Sequence, residues 1–381
     1  MKRIVILGST GSIGQSALEV VRSFPDRFRV MGLACGSNVD RIKQQIQEYK
    51  PRWVSITDSH KVSELNGGIP GDVEVLVGKD GMIHMVQQPE VDLVIFATAG
   101  TWGLSPLLAA IESGKQIALA NKESLVMAGR VVTQAAEHYG VRILPIDSEH
   151  NAIFQILEGH PAAETHKIYL TCSGGPLLHV PKEQLTQVTP EQALRHPRWK
   201  MGKKITIDSS TLMNKGLEII EAKWLFGLSP DKIQVLIHPE AVIHSMVEFV
   251  DGSLMAQMGV TDMKGPIQYV LSYPQRLAAT YPRLDLVALK QATFAAPDWE
   301  RFPCLGLAYR VAQSGDSDST TLNAANDVAV EAFLQTKIRW SDIPHLIETV
   351  LSHHPRLESP TLEDILDLDQ WAREESYRWL S

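Results

Sequence analysis

The chain opens on Ile4-Val5-Ile6-Leu7, followed at once by Gly8-Ser9-Thr10-Gly11-Ser12-Ile13-Gly14, and no other feature limits its possible folds as much. A short apolar run that breaks into a glycine turn and then a helix pattern reads as the first strand of a parallel α/β sheet. The alternation continues. Residues 29–34, 53–57, 73–77, 93–97, 116–120 and 142–145 read as further strands, with helices between them such as 13–24, ended by Pro25, and 39–49, ended before Pro51. Gly8 and Gly11 let the backbone turn and approach a pyrophosphate, while the first N–H groups of the following helix favour its negative charge. The spacing is GxxGxxG rather than GxGxxG, and a turn needed only for tight strand–helix packing would read the same way. After the second strand an NAD site expects an acidic residue for the ribose hydroxyl, and this chain has Ala34-Cys35-Gly36-Ser37-Asn38. NADPH fits better, because Ser37 and Asn38 can hydrogen-bond a 2′-phosphate; Arg41 is either a further partner or a solvated helix residue.

At 381 residues the chain exceeds what one core usually spans. The expected class is α/β, with a Rossmann-like parallel-sheet dinucleotide domain over 1–147 and a central α+β catalytic domain over 148–272. A linker over 273–302, where prolines recur, leads to a C-terminal helical bundle over 303–381. In the central part, a helix at 151–157, a strand at 167–171 and a Ser-Gly-Gly-Pro turn precede 205–207, which leads into a helix at 212–226. Residues 242–258 read as a hairpin turning at Asp251-Gly252. The last helices are expected at 305–314, 322–334, 341–352, with Ser341 as N-cap, and 362–380.

A formal net charge of -8 leaves no general basic face, which argues against nucleic acid or an anionic membrane as partner. Cys35, Cys172 and Cys304 form no CxxC pair, so neither a zinc ribbon nor a disulfide framework is expected. The first apolar run is too short for a signal peptide, and no run reaches the roughly 18–20 residues of a membrane span. A cytoplasmic protein, or a mature plastid one, is expected.

Asp147-Ser148-Glu149-His150-Asn151 follows the 142–145 strand. If the segment stays extended, Asp147 and Glu149 point to one side and share a ligand. Glu218 lies on the 212–226 helix that also carries Asn214 and Lys215, and Asn214 and Glu218, four apart, share one face. Were the three acids to converge, each pair near 4 Å would repel by about 4 kcal/mol at an effective dielectric of 20. A cation would then be required, and all-oxygen ligation selects Mg²⁺ or Mn²⁺ over zinc. Spacing equally allows a bland reading, in which Ser148 caps a helix that begins near Glu149.

Taken together, GSTGSIG, ANKESLV (120–126), LPIDSEHNAIFQ (144–155), SGGP (173–176), HPRWKMG (196–202), DSSTLMNKGLEIIEA (208–222), IHPEAVIHSMV (237–247) and TLNAAN (321–326) resemble the 1-deoxy-D-xylulose 5-phosphate reductoisomerase family over nearly the whole chain. The resemblance implies conversion of that substrate to 2-C-methyl-D-erythritol 4-phosphate in non-mevalonate isoprenoid biosynthesis, by rearrangement and NADPH-dependent reduction. It implies Asp147, Glu149 and Glu218 as metal ligands, and Thr10, Gly11, Ser12, Ile13, Gly36, Ser37, Asn38, Asn121, Glu123 and Gly202 as the NADPH site. Lys122, Ser148, Glu149, Ser173, His196, Ser209, Asn214, Lys215 and Glu218 would contact the phosphorylated sugar, with Lys122 as a further electrostatic or proton-transfer group. His196, Trp199 and Met201 would belong to a mobile flap, although packing alone also explains Trp199 and Met201. A homodimer is implied as well. Members often carry a basic residue where this chain has Ser37, and a small residue in place of Cys172. Two other readings remain. A plain NADP-dependent dehydrogenase would not need the acids, and a cofactor sensor would tolerate loss of Lys215 or Glu218.

Overall fold

The computed structural model of the chain describes residues 1–65, 69–199 and 201–381; Lys200 of the HPRWKMG motif lies outside them. Contacts divide the chain into two units. The first comprises Met1–Ser124, Val132–Asn151 and Asp262–Pro282, and the second Leu125–Val131, Ala152–Thr261 and Arg283–Ser381.

The first unit is built on a 7-stranded parallel sheet of β1 (Lys2–Leu7), β2 (Phe28–Cys35), β3 (Trp53–Ile56), β4 (Glu74–Val77), β5 (Leu93–Phe96), β6 (Gln116–Leu119) and β7 (Ile143–Pro145), in the order β4-β3-β2-β1-β5-β6-β7. Four residues of β1 and all of β3 and β5 are buried, as expected of strands covered on both faces, which is why they read as unbroken apolar runs. From β1 the chain runs outward to β4, then returns to the other side of β1 for β5. The strand order therefore reverses between β1 and β5, where open α/β sheets form a ligand crevice at their carboxyl ends. The helix Lys264–Ser272 packs against the helix Ser12–Ser23, with Lys264 Nζ 3.5 Å from Glu19.

The second unit carries a 4-stranded sheet of β8 (Thr165–Cys172), β9 (Ile233–Ile237), β10 (Ile243–Phe249) and β11 (Leu254–Met258), in the order β11-β10-β8-β9. β10 and β11 form the expected hairpin, with Gly252 at φ +84 in its turn. The helix Met213–Phe226 shares one hydrophobic core with the last four long helices, Pro303–Gln313, Asp316–Leu334, Ile343–His353 and Leu362–Trp379, through Ile220, Leu305, Ala308, Phe333, Ile347 and Ala372. At Gly216 a Cβ would lie 2.4 Å from that of Ala308, so the two helices cross too closely for any side chain there. These contacts group the helices after residue 303 with the second sheet, and group 262–282 with the first unit.

Two local expectations are corrected, and one helix had not been foreseen. Residues 205–207 lie inside a helix, Lys203–Ser210, whose buried Thr206, Ile207, Asp208 and Ser210 hide its period. The helix expected at 322 begins at Asp316, because its first two turns are polar yet buried, with Asp316 bonded to Arg130 at 2.7 Å. Ser341 is not an N-cap; it sits in the short 3-10 turn Trp340–Asp342 that precedes Ile343–His353. Among the described residues no helix is long and apolar enough to cross a membrane.

Candidate active site

In the first unit, the glycines after β1 have separate tasks. Gly8 has φ +89, and a Cβ on it would lie 2.3 Å from the Ala97 carbonyl oxygen at the end of β5. A Cβ on Gly14 would meet the Gly8 carbonyl at 2.4 Å. Both are demanded by packing. Gly11 is not: its nearest neighbour would be 3.4 Å away, and it is exposed. It is the N-cap of Ser12–Ser23, gives no side-chain cap, and leads into a first turn without an acidic residue. The turn is locked from below by buried Gln45, whose Oε1 accepts from Ser9 Oγ at 2.7 Å and whose Nε2 donates to the Ser9 carbonyl at 2.9 Å. An open N-terminus on a rigid turn is the arrangement that receives a phosphate anion. Gly36, Ser37 and Asn38 are exposed at the end of β2, and the Asn38 side chain accepts from Arg41 N at 3.1 Å as a helix cap.

Asn121 caps the helix Lys122–His138 by accepting from Ser124 N, and its Nδ2 donates to the carbonyls of Thr98 at 2.8 Å and Gly100 at 3.0 Å. The same amide reaches Glu123 Oε2 at 3.1 Å. Asn121 thereby ties the end of β6 to the connection that follows β5.

Next to it, Lys122 Nζ lies 2.6 Å from Asp147 Oδ2, with little of either side chain exposed. Asp147 sits at the bend after β7, and the helix Ser148–Leu157 begins immediately. The strand-alternation argument for Asp147 and Glu149 therefore fails, since the segment turns helical at Ser148 and residues two apart on a helix do not share a face. Ser148 is not the cap either: its hydroxyl donates to Glu149 Oε2 at 2.6 Å. His150, which sequence reasoning passed over, is fully buried with Nδ1 4.0 Å from Asp147 Oδ2.

In the second unit the helix Met213–Phe226 presents Asn214, Lys215 and Glu218 together. Asn214 Nδ2 donates to Glu218 Oε1 at 2.6 Å, and Lys215 Nζ lies 2.5 Å from Glu218 Oε2. The lysine and glutamate side chains are 2% and 1% exposed, so their charges act through little solvent. Gly175, at φ +72, abuts the Ser209 carbonyl, where a Cβ would come within 2.3 Å, and this contact holds the turn bearing Ser173 against the helix bearing Ser209. Ser173 Oγ is 3.3 Å from His196 Nε2, while Ser209 Oγ donates to the Ile205 carbonyl of its own helix at 2.9 Å. His196 Nδ1 accepts from Arg198 N at 3.2 Å and Trp199 N at 2.9 Å, so it carries no proton and Nε2–H faces Ser173. Burial agrees, pushing the imidazole down to about 4. Trp199 and Met201 are half-buried and Gly202 is exposed as the N-cap of Lys203–Ser210.

Sequence reasoning also missed the buried Asp208, which accepts from Asn326 Nδ2 at 2.9 Å and lies 2.9 Å from Lys204 Nζ. Asp208 and Asn326 were visible only as parts of the DSSTLMNKG and TLNAAN motifs.

The family profile 1-deoxy-D-xylulose 5-phosphate reductoisomerase matches residues 4–129, and its C-terminal-domain profiles match 143–226 and 258–375. The 1-deoxy-D-xylulose 5-phosphate reductoisomerase of Desulfosudis oleivorans is 51% identical over 376 residues, 98% of each chain. That of Desulforamulus reducens is 50% identical over 379 residues, covering 99% of this chain and 98% of its own. A crystal structure of a DOX-P reductoisomerase in complex with NADPH, fosmidomycin and magnesium has a TM-score of 0.92 at 41% identity, covering 100% of this chain and 98% of that one. The Zymomonas mobilis reductoisomerase in complex with NADPH has a TM-score of 0.93 at 40% identity, covering 100% and 99%.

Proposed function

This chain belongs to the 1-deoxy-D-xylulose 5-phosphate reductoisomerase family, and from that premise we propose how its residues divide the work. The chain rearranges and reduces 1-deoxy-D-xylulose 5-phosphate to 2-C-methyl-D-erythritol 4-phosphate with NADPH and a divalent metal. The observation that carries the assignment of roles is the buried Lys215–Glu218 pair with half-buried Asn214 beside it on one helix. Buried charge of this kind costs desolvation energy and is concentrated where it serves chemistry.

Asp147, Glu149 and Glu218 hold the metal. Their donor atoms are carboxylate oxygens, the hard ligands that suit Mg²⁺ or Mn²⁺, with little of Asp147 and Glu218 exposed and Glu149 half-buried. The metal, when bound, supplies Lewis-acid stabilisation of the substrate's oxygens as charge develops. Lys122 and Lys215 place ammonium groups beside these carboxylates and balance the charge of the loaded site. Ser173, Ser209, Asn214 and Lys215 receive the substrate phosphate through hydroxyl, amide and ammonium donors, with Ser148 as a further contact. His196, neutral and donating through Nε2, orients Ser173 at that phosphate. His196, Trp199 and Met201 form a flap whose indole excludes water when substrate is present.

The NADPH site consists of Thr10, Gly11, Ser12 and Ile13 at the pyrophosphate and Gly36, Ser37 and Asn38 at the adenosine 2′-phosphate, with Asn121, Glu123 and Gly202 lining the rest of it. NADPH supplies the hydride. The roles divide the sequence as dinucleotide-binding over 1–147, catalytic over 148–272, linking over 273–302 and structural over 303–381. The protein acts as a homodimer. β11 supports this: it is the open edge of its sheet, and Leu254, Met255 and Met258 on it are exposed. It works in the cytoplasm, consistent with three free cysteines.

The test is NADPH consumption with synthetic 1-deoxy-D-xylulose 5-phosphate, run with Mn²⁺, with Mg²⁺ and with chelator. Turnover with either metal and none with chelator is expected. Metal-independent reduction would instead favour a plain dehydrogenase.

A further inference from the structure

The residues named at the cofactor site leave a half-exposed tryptophan beside it without a task. β5 ends at Phe96, and the chain then runs through Ala97, Thr98 and Ala99 into the short turn Gly100–Gly103. One side of this connection abuts the glycine turn, since Gly8 has no room for a Cβ against the Ala97 carbonyl. On its other side, Asn121 donates to the carbonyls of Thr98 and Gly100. The turn is closed by Gly100 at φ +62 and by Gly103, where a Cβ would fall 2.6 Å from Thr98 Oγ1 and 3.2 Å from Asn121 Oδ1. Trp102 stands on this tightly held turn and is 50% exposed. An indole is among the costliest side chains to leave in water, and its exposure on a rigid support at a sheet's ligand crevice marks a surface built to be covered.

What covers it follows from the direction of the dinucleotide, and so rests on the cofactor reading above. The pyrophosphate lies on the helix N-terminus after β1, and the adenosine 2′-phosphate lies at the end of β2. The sheet order puts β2 on one side of β1 and β5 and β6 on the other. The remaining half of the cofactor must therefore extend over the ends of β5 and β6, where Trp102 and Asn121 stand.

We propose that Trp102 packs its indole against the nicotinamide half of NADPH and forms part of the cofactor site. A flat apolar ring covers the face of the nicotinamide that is turned away from substrate, as offset-stacked aromatic pairs do. Once the hydride has left, the ring is a cation, and an indole face attracts it further. Trp102 accordingly favours NADP⁺ retention over NADPH retention.

The experiment excites the protein's tryptophans and reads the emission of bound NADPH by energy transfer, in the full chain and in Trp102→Phe, with NADPH affinity measured in parallel by calorimetry. The chain holds 8 tryptophans, so the share carried by Trp102 is read as the difference in transfer between the unaltered chain and the variant. Trp102→Phe is expected to keep NADPH affinity within about twofold while transfer falls below that of the unaltered chain, and Trp102→Ala to weaken NADPH binding about three- to tenfold. Because Trp102 is half-exposed, neither change empties a core. Transfer at the full level in Trp102→Phe overturns the proposal whatever the affinities. If the unaltered chain binds no NADPH at all, the dinucleotide reading fails, and this inference fails with it.

Discussion

The turn after β1 and the helix Met213–Phe226 represent opposite ways of making a binding surface. At the turn the candidate groups are backbone N–H donors and small neutral side chains, exposed at Gly11, Ser12, Gly36 and Ser37. On the helix they are amide, ammonium and carboxylate side chains, with Lys215 and Glu218 bonded to each other and almost wholly buried. A backbone site depends on where glycine is sterically required, whereas a buried charged site depends on each partner being present. The first region should therefore lose function by small steps and the second by large ones.

The largest effect tests the second half of that contrast. Lys215→Ala removes an ammonium 2.5 Å from a buried carboxylate and should destabilise the fold by about 3–5 kcal/mol, read by denaturant unfolding. Adding Glu218→Gln should recover much of that loss, and a double variant no more stable than Lys215→Ala would mean that the pair is not the unit argued here.

Gly8→Ala comes next, with an expected loss of about 2–3 kcal/mol, since a positive φ and the Ala97 carbonyl both oppose a Cβ. Gly11→Ala should leave stability within about 0.5 kcal/mol but weaken NADPH binding. Equal thermal shifts for the two would erase the distinction between packing and binding glycines.

Much of this contrast was legible in the sequence. The inner parallel strands were readable because burial on both faces leaves continuous apolar runs, whereas the edge strand β4 has no buried residue; the hairpin was readable because Asp251-Gly252 sits between β10 and β11. The helix Lys203–Ser210 and the start of Asp316–Leu334 were not, because their buried faces are polar and satisfied by partners distant in sequence, such as Arg130 for Asp316 and Asn326 for Asp208. Periodicity reports hydrophobic faces only. At the site, Asn214 and Glu218 were legible from their spacing on one helix face. The geometry at Asp147 was not, because the extended segment assumed there turns helical at Ser148.

A smaller effect is expected at the flap. Trp199→Ala should raise KM for the substrate about tenfold with stability nearly unchanged, and unaltered kinetics would remove the indole from water exclusion.

The smallest effects divide two histidines by sign. His196, pushed down to about 4 by burial, binds a proton less readily when folded, so its contribution is present above about 6.5 and is lost as pH falls towards 4. His354 is raised, chiefly by its hydrogen bond with Asp318, and its Nδ1 also donates to the Leu351 carbonyl at 2.7 Å. Its contribution is present below about 6.5 and is lost as pH rises through the raised value. Melting temperatures of His196→Asn and His354→Asn across pH should approach the unaltered chain at opposite ends of the range. Parallel curves would contradict both assignments.

The most direct test of the separation between the two regions is Glu218→Gln, assayed for turnover of 1-deoxy-D-xylulose 5-phosphate and, by calorimetry, for NADPH binding. The account predicts turnover reduced by at least about 10²–10³-fold with NADPH affinity unchanged. Loss of both together, or turnover retained, would contradict it.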